Sequence, residues 1–207
     1  MTYVSPIDPQ EPIAAPAPAA ETPPRSFHTL AIICGIAPIA GAVLGAIMNT
    51  IDGQVSADYF AIVMSWDGQT AGIHAIAHGV LEGFAAGLLL GFFFAIVIAA
   101  STRGRCPLPL ALRSFALAPA IAMIGWFFGG GIGVTLALLW PQLWGFFFVG
   151  VPPRVDLVRF AWVGGSIWGG YGGALIGLIV ASITLHLRWR RMQGPRQAFA
   201  VVIASSH

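Results

Sequence analysis

The stretch "IHAIAHGVLEGFAAGLLLGFFFAIVIAA" (residues 73–100) decides the fold. It holds a single charged side chain, Glu82, and places glycine at every fourth position from Gly79 to Gly91. About 20 apolar residues carry a helix across roughly 30 Å of hydrocarbon. In lipid a backbone must pair its own polar groups, so the run reads as a spanning helix rather than an open strand. The strict alternation of a membrane barrel is absent.

Three more runs of the same kind surround it, at about 27–48, 114–139 and 160–187. Of 207 residues, 57% are hydrophobic and 9% charged, with a mean hydropathy of +0.82. A soluble domain is about 25% charged. The expected fold is therefore an all-α membrane protein, a four-helix bundle filling residues 26–191. The net charge of +2, carried entirely by arginine on the basic side, gives no nucleic-acid footprint.

Arginine placement sets the expected orientation. Arg25, Arg103, Arg105, Arg113, Arg188, Arg190, Arg191 and Arg196 fall on one side of the four spans; Arg154 and Arg159 fall on the other. The positive-inside rule makes the first side cytoplasmic, with both termini there. This fits a bacterial inner (plasma) membrane. Cys34 and Cys106 then lie toward a reducing compartment as free thiols. The stretch 1–25 holds seven of the fifteen prolines and reads as a disordered tail rather than a secretory signal. Residues 192–207 are too short an apolar stretch to span and read as a loose or weakly docked cytoplasmic tail. The first outer loop carries Asp52, Asp58 and Asp67, which reads as a solvated acidic loop. The second, with Trp140, Trp144 and Phe146 to Phe148, suits the membrane interface.

Glycine supplies the packing signal. Gly41 and Gly45 lie on the first helix and Gly79, Gly83, Gly87 and Gly91 on the second. Gly125, Gly129 and Gly133 lie on the third and Gly165, Gly169, Gly173 and Gly177 on the fourth. Small residues at fourfold spacing let backbones approach closely where no hydrophobic force joins helices. The pattern predicts a glycine-zipper bundle. Its repetition on the second and fourth helices is compatible with two similar helical hairpins in parallel orientation. Part of the seam is free to face another copy or a larger membrane complex.

His74, His78 and Glu82 follow each other at i, i+4 and i+8, and so share one helix face. At ~1.5 Å per residue Glu82 sits roughly 10 Å inside the outer interface, level with Gly41, with Gly129 to Gly131 and with Ser166 to Gly170. Trp168 and Tyr171 are close in depth. A carboxylate in hydrocarbon takes a partner, loses its charge or faces the bundle interior. Two readings follow. One is a proton or cation site with Glu82 at its floor and His78 and His74 leading to it. The other is a polar clasp in which a protonated Glu82 donates to a carbonyl or to Tyr171. A zinc site on His74 and His78 is weaker, because "HAIAH" lacks the glutamate base of HExxH. A haem between His28 and His186, or a divalent ion on Asp52, Asp58 and Asp67, has less behind it. No cofactor is expected. Nucleophile elbows, phosphate loops and dinucleotide fingerprints are missing, so no enzyme is expected either.

The segment "GAVLGAIMNTIDGQVSADYF" resembles one in uncharacterised bacterial four-helix integral membrane proteins, where an "HDQ"-like stretch and then "SPEYF" follow the first helix. The matching residues are Gln54, Val55, Ser56, Asp58, Tyr59 and Phe60; Asp52 and Gly53 stand where His-Asp is usual. The likeness covers about 41–100 and implies an inner-membrane location and an ordered outer loop. Physically, "SADYF" would cap a short turn that folds Tyr59 and Phe60 onto the bundle mouth. The expected function is that of a non-enzymatic accessory or structural subunit of a membrane complex. The alternative is a small proton- or cation-translocating protein using Glu82 with His78.

Overall fold

The structure is a computed structural model that describes residues 27–67, 70–147, 151 and 155–204. The proline-rich stretch 1–25, with Arg25, and also Phe148 and Arg154 lie outside the described residues. The elements are α1 (Phe27–Val55), α2 (Ala57–Val63), α3 (Ala71–Thr102), α4 (Leu108–Phe115), α5 (Leu117–Leu139), α6 (Pro141–Phe147) and α7 (Leu157–Ala204), with no strand among the described residues. Four segments are long and apolar enough to cross a membrane: Phe27–Val55, Ala71–Thr102, Leu108–Leu139 and Leu157–Gln193. Side chains such as Leu81, Leu89, Phe128, Ile132 and Ile176 stand exposed along them, as a lipid-facing surface requires.

Two ends differ from the sequence reading. α1 runs past Met48 to Val55, because Asn49 and Asp52 find partners inside the bundle instead of in water. α7 stays helical to Ala204, where a loose tail was expected from residue 192. Gly194 and Pro195, both poor helix residues, lie inside this extension, and beyond them Gln197, Ala198 and Ala200 favour helix.

The bundle is made of two antiparallel pairs. α1 packs chiefly along α3, and α5 chiefly along α7; contacts between the pairs are much sparser. Within each pair glycines meet backbone. A methyl group added to Gly41 would strike the Gly83 carbonyl, and one on Gly45 the Gly79 carbonyl. One turn further, Gly87 lies against Ala37 and Pro38. In the other pair, a methyl on Gly129 would lie 2.7 Å from the Gly169 Cα, and one on Gly125 would lie 2.8 Å from the Gly173 Cα. Gly133 faces Ala161 and Gly165 in the same manner.

Larger side chains close the two ends. Ile33, Phe94, Ile98, Phe115 and Leu185 form a buried cluster toward the arginine-rich end. There the Thr29 hydroxyl donates to the Cys106 carbonyl at 3.1 Å, tying the start of α1 to the link after α3. At the other end Tyr59, Phe60, Ala71, Phe160 and Val163 form a second cluster. α2 delivers the first two of these. The Ser56 hydroxyl accepts the Tyr59 N–H at 3.3 Å and starts the helix. Tyr59 and Phe60 then fold inward over the bundle mouth, with their rings 5.5 Å apart edge to face. α6 divides its aromatics: Trp144 turns in against Ala137 and Ala161, while Phe146 is 79% exposed.

Candidate functional site

Two acidic residues lie within the four spans, Asp52 on α1 and Glu82 on α3. Both line one cavity of about 120 Å³ between the helix pairs. A volume of that order holds a few waters or a group the size of a small ring.

Asp52 is fully buried. It reaches the interior because Gly41, Gly45, Asn49 and Asp52 recur every three or four residues and so share a helix face. The glycine stripe that meets α3 thus continues into a polar stripe one turn on. Asn49 donates to the Ala75 carbonyl at 3.1 Å, holding α1 to α3 one turn beyond Gly45. Asp52 turns toward the other pair. Trp126 Nε1 on α5 donates to its Oδ2 at 3.0 Å, and Ser166 Oγ on α7 lies 3.0 and 3.1 Å from its two oxygens. The Ser166 hydroxyl also lies 2.9 Å from the Val163 carbonyl, so its proton is shared between two acceptors. Trp162 stands edge-on to Trp126, with ring centroids 6.0 Å apart.

Glu82 occupies the opposite wall. The Tyr171 hydroxyl on α7 donates to Glu82 Oε1 at 2.7 Å. His78, one turn back, brings Nδ1 to 3.2 Å from Oε2, as a contact without the alignment of a full hydrogen bond. The Glu82 side chain keeps 39% of its surface exposed and His78 27%. Trp66 lies over the approach, edge-on to His74 and to His78 at 5.5 and 5.6 Å. Trp168, close in depth, points outward and is 71% exposed.

Tyr59 caps the mouth above both carboxylates. Burial pushes its hydroxyl up to about 12, and the nearby charges of Asp52 and then Glu82 add to the shift. Past the carboxylates the cavity wall turns apolar, through Ala86, Gly87, Leu90, Phe115 and Ala118. The arrangement can therefore hold a proton or a small cation near the α2 end. In this conformation it offers no polar relay toward the arginine-rich end.

The sequence reading grouped His74, His78, Glu82 and Tyr171; in the structure Glu82 meets Tyr171 and His78, while His74 meets Trp66 over the approach. It missed Asp52, which it assigned to an acidic outer loop beside Asp58 and Asp67. Asp58 and Asp67 are exposed, whereas Asp52 sits in the cleft. The signal was its place on the face of Gly41 and Gly45. Among the described residues no three His, Cys, Asp or Glu side chains converge as a metal ion needs, the His74 and His78 pair included. No family model, curated protein or solved structure matches the chain.

Proposed function

We propose that the protein is a multi-pass protein of a bacterial inner membrane that takes up protons or a small monovalent cation at the Asp52–Glu82 cavity, from the outer side. One observation carries this reading. The only two acidic residues within the spans come from different helices and line the same cavity. Ionisable groups at membrane depth are costly and mark ion paths when they face a shared interior. A clasp would need a single carboxyl and a donor; two carboxyls facing one cavity, one of them part-exposed, suit a transferable positive charge.

The bundle architecture fits such a task. Glycine zippers would make each helix pair a stiff unit, while the sparse contacts between pairs leave the cavity on the plane where they meet. If the pairs are two related hairpins, rocking one against the other would expose the cavity alternately to each side. The arginine distribution supports an orientation with the α2 end outside and both termini in the cytoplasm. No chemical catalysis is assigned. The accessory-subunit reading rests on the glycine seams, which speak to packing; it predicts no flux and a partner complex on gentle purification.

The test is gradient-driven proton or sodium uptake in proteoliposomes. Wild type should dissipate an imposed gradient. Glu82→Gln should abolish the flux, and Asp52→Asn should reduce it, with helix content and monodispersity unchanged. Equal flux in wild type, Glu82→Gln and empty vesicles sinks the proposal.

A further inference from the structure

At the far end of the bundle, the end of α3 and the last apolar turns of α7 enclose a hollow of about 620 Å³. Its wall carries Arg103, Arg105, Arg190 and His186, with Trp189 and Gln193 beside them, and contains no carboxylate. Among the described residues none of these three arginines makes an ion pair. Three guanidinium groups around one concavity repel one another unless an anion sits between them.

Arg103 adopts the left-handed conformation (φ 52°), and the Arg105 N–H closes on the Thr102 carbonyl at 3.1 Å. The Thr102 hydroxyl is itself spent on the Ile98 carbonyl at 2.7 Å. The arginine forks share the wall with Ser101, and such forks match phosphate oxygens in pairs.

Depth says which phosphate. Thr102 ends the second apolar span and Gln193 the fourth, so the hollow lies where hydrocarbon gives way to headgroups. Trp189 suits that level, with an apolar ring and a polar N–H. Directly below, Ile96 lies one turn from Ala100 and Ile183 two turns from Arg190, both exposed. An amphiphile with a phosphate in the hollow would lay its chains past them.

We infer that this hollow is a headgroup site for an anionic phospholipid, its phosphate held by Arg103, Arg105 and Arg190 and its acyl chains running past Ile96 and Ile183. The site is separate from the Asp52–Glu82 cavity and does not depend on it. Basic pockets between spanning helices recognise anionic lipid in this way.

The test is lipid retention by the full chain. Protein is reconstituted in a mixture of phosphatidylglycerol and phosphatidylcholine, extracted in mild detergent, and its bound lipid is quantified by mass spectrometry. Wild type should retain phosphatidylglycerol over phosphatidylcholine. Arg103→Gln and Arg190→Gln should each lower that retention roughly fivefold, the weight of one arginine at a charged interface. Arg→Lys at the same positions, which keeps charge but loses the paired donors, should fall between. Arg159→Gln at the other end should change nothing. Competition with millimolar inorganic phosphate separates the sources: the lipid should stay bound. Release of the lipid by phosphate would mean a free-anion site, and undiminished retention in Arg103→Gln/Arg190→Gln would mean no site; either overturns the inference.

Discussion

The Ser166 hydroxyl lies 3.0 and 3.1 Å from the two carboxyl oxygens of Asp52, joining α7 to α1 across the plane where the helix pairs meet. The carboxyl is enclosed, and without Ser166 it would lean on the Trp126 indole N–H at 3.0 Å. A buried polar group left short of partners costs far more than an ordinary hydrogen bond gains.

Ser166→Ala should therefore destabilise the bundle by about 1–3 kcal/mol, and Trp126→Phe by a similar amount. Each removes a donor from a buried carboxyl without touching the glycine seams. Equilibrium unfolding in mixed micelles measures both. The double change Ser166→Ala/Trp126→Phe should depart from additivity, because the two donors serve one group.

Glycine positions should split into two classes. Gly83→Ala and Gly129→Ala drive a methyl into facing backbone, which cannot yield as a side chain can. Each should cost at least about 1–3 kcal/mol or separate the pair. Gly35, Gly131 and Gly172 have open space where a methyl would go. Alanine there should be neutral or stabilising by about 0.5–1 kcal/mol, the usual helix preference over glycine. A thermal-shift series across these five positions checks the division. Equal losses at all five would show that the close approaches do not hold the pairs.

Tyr59 makes stability depend on alkali. Its hydroxyl is raised from 10.0 to about 12 by burial and then by the charges of Asp52 and Glu82. Between those values the unfolded chain releases the proton and the folded chain keeps it. The folded state then binds more protons, so stability falls as pH rises through this window. Tyr59→Phe should flatten that fall, as read from denaturation midpoints at alkaline pH. An unchanged slope would place the ring in contact with water.

Cys106 should resist alkylation. Burial pushes its thiol up to about 11, so little thiolate exists near neutral pH. Thr29→Val removes the hydroxyl that donates to the Cys106 carbonyl. That change should loosen the link after α3 and speed labelling by a small maleimide, followed by mass shift. Rapid labelling of the wild type at neutral pH would contradict the buried position.

The four long helices were legible because length and apolarity are local properties of a chain. Glu82, His78 and Tyr171 were legible too, two of them by their spacing on α3 and the third by depth. Asp52 was not. Its surroundings, "NTIDGQ", are polar enough to read as the loop that follows a span, and only partners distant in sequence make the helix continue. Trp126 and Ser166 lie 74 and 114 residues away, and nothing near Asp52 announces them. The same holds for the arginine hollow, which needs Arg103 and Arg190 brought together by the fold. The inward turn of Tyr59 and Phe60 was readable from "SADYF", since a serine cap works on its own neighbours.

The partners of Asp52 have a consequence for how the chain is made. Asp52 belongs to the first helix pair, and both side chains that serve it belong to the second, which leaves the ribosome later. A nascent chain that inserts as proposed carries an unserved acid in its first half until α5 and α7 arrive. In that order of synthesis the acid would favour docking of the second pair over bare lipid, because the second pair carries Trp126 and Ser166.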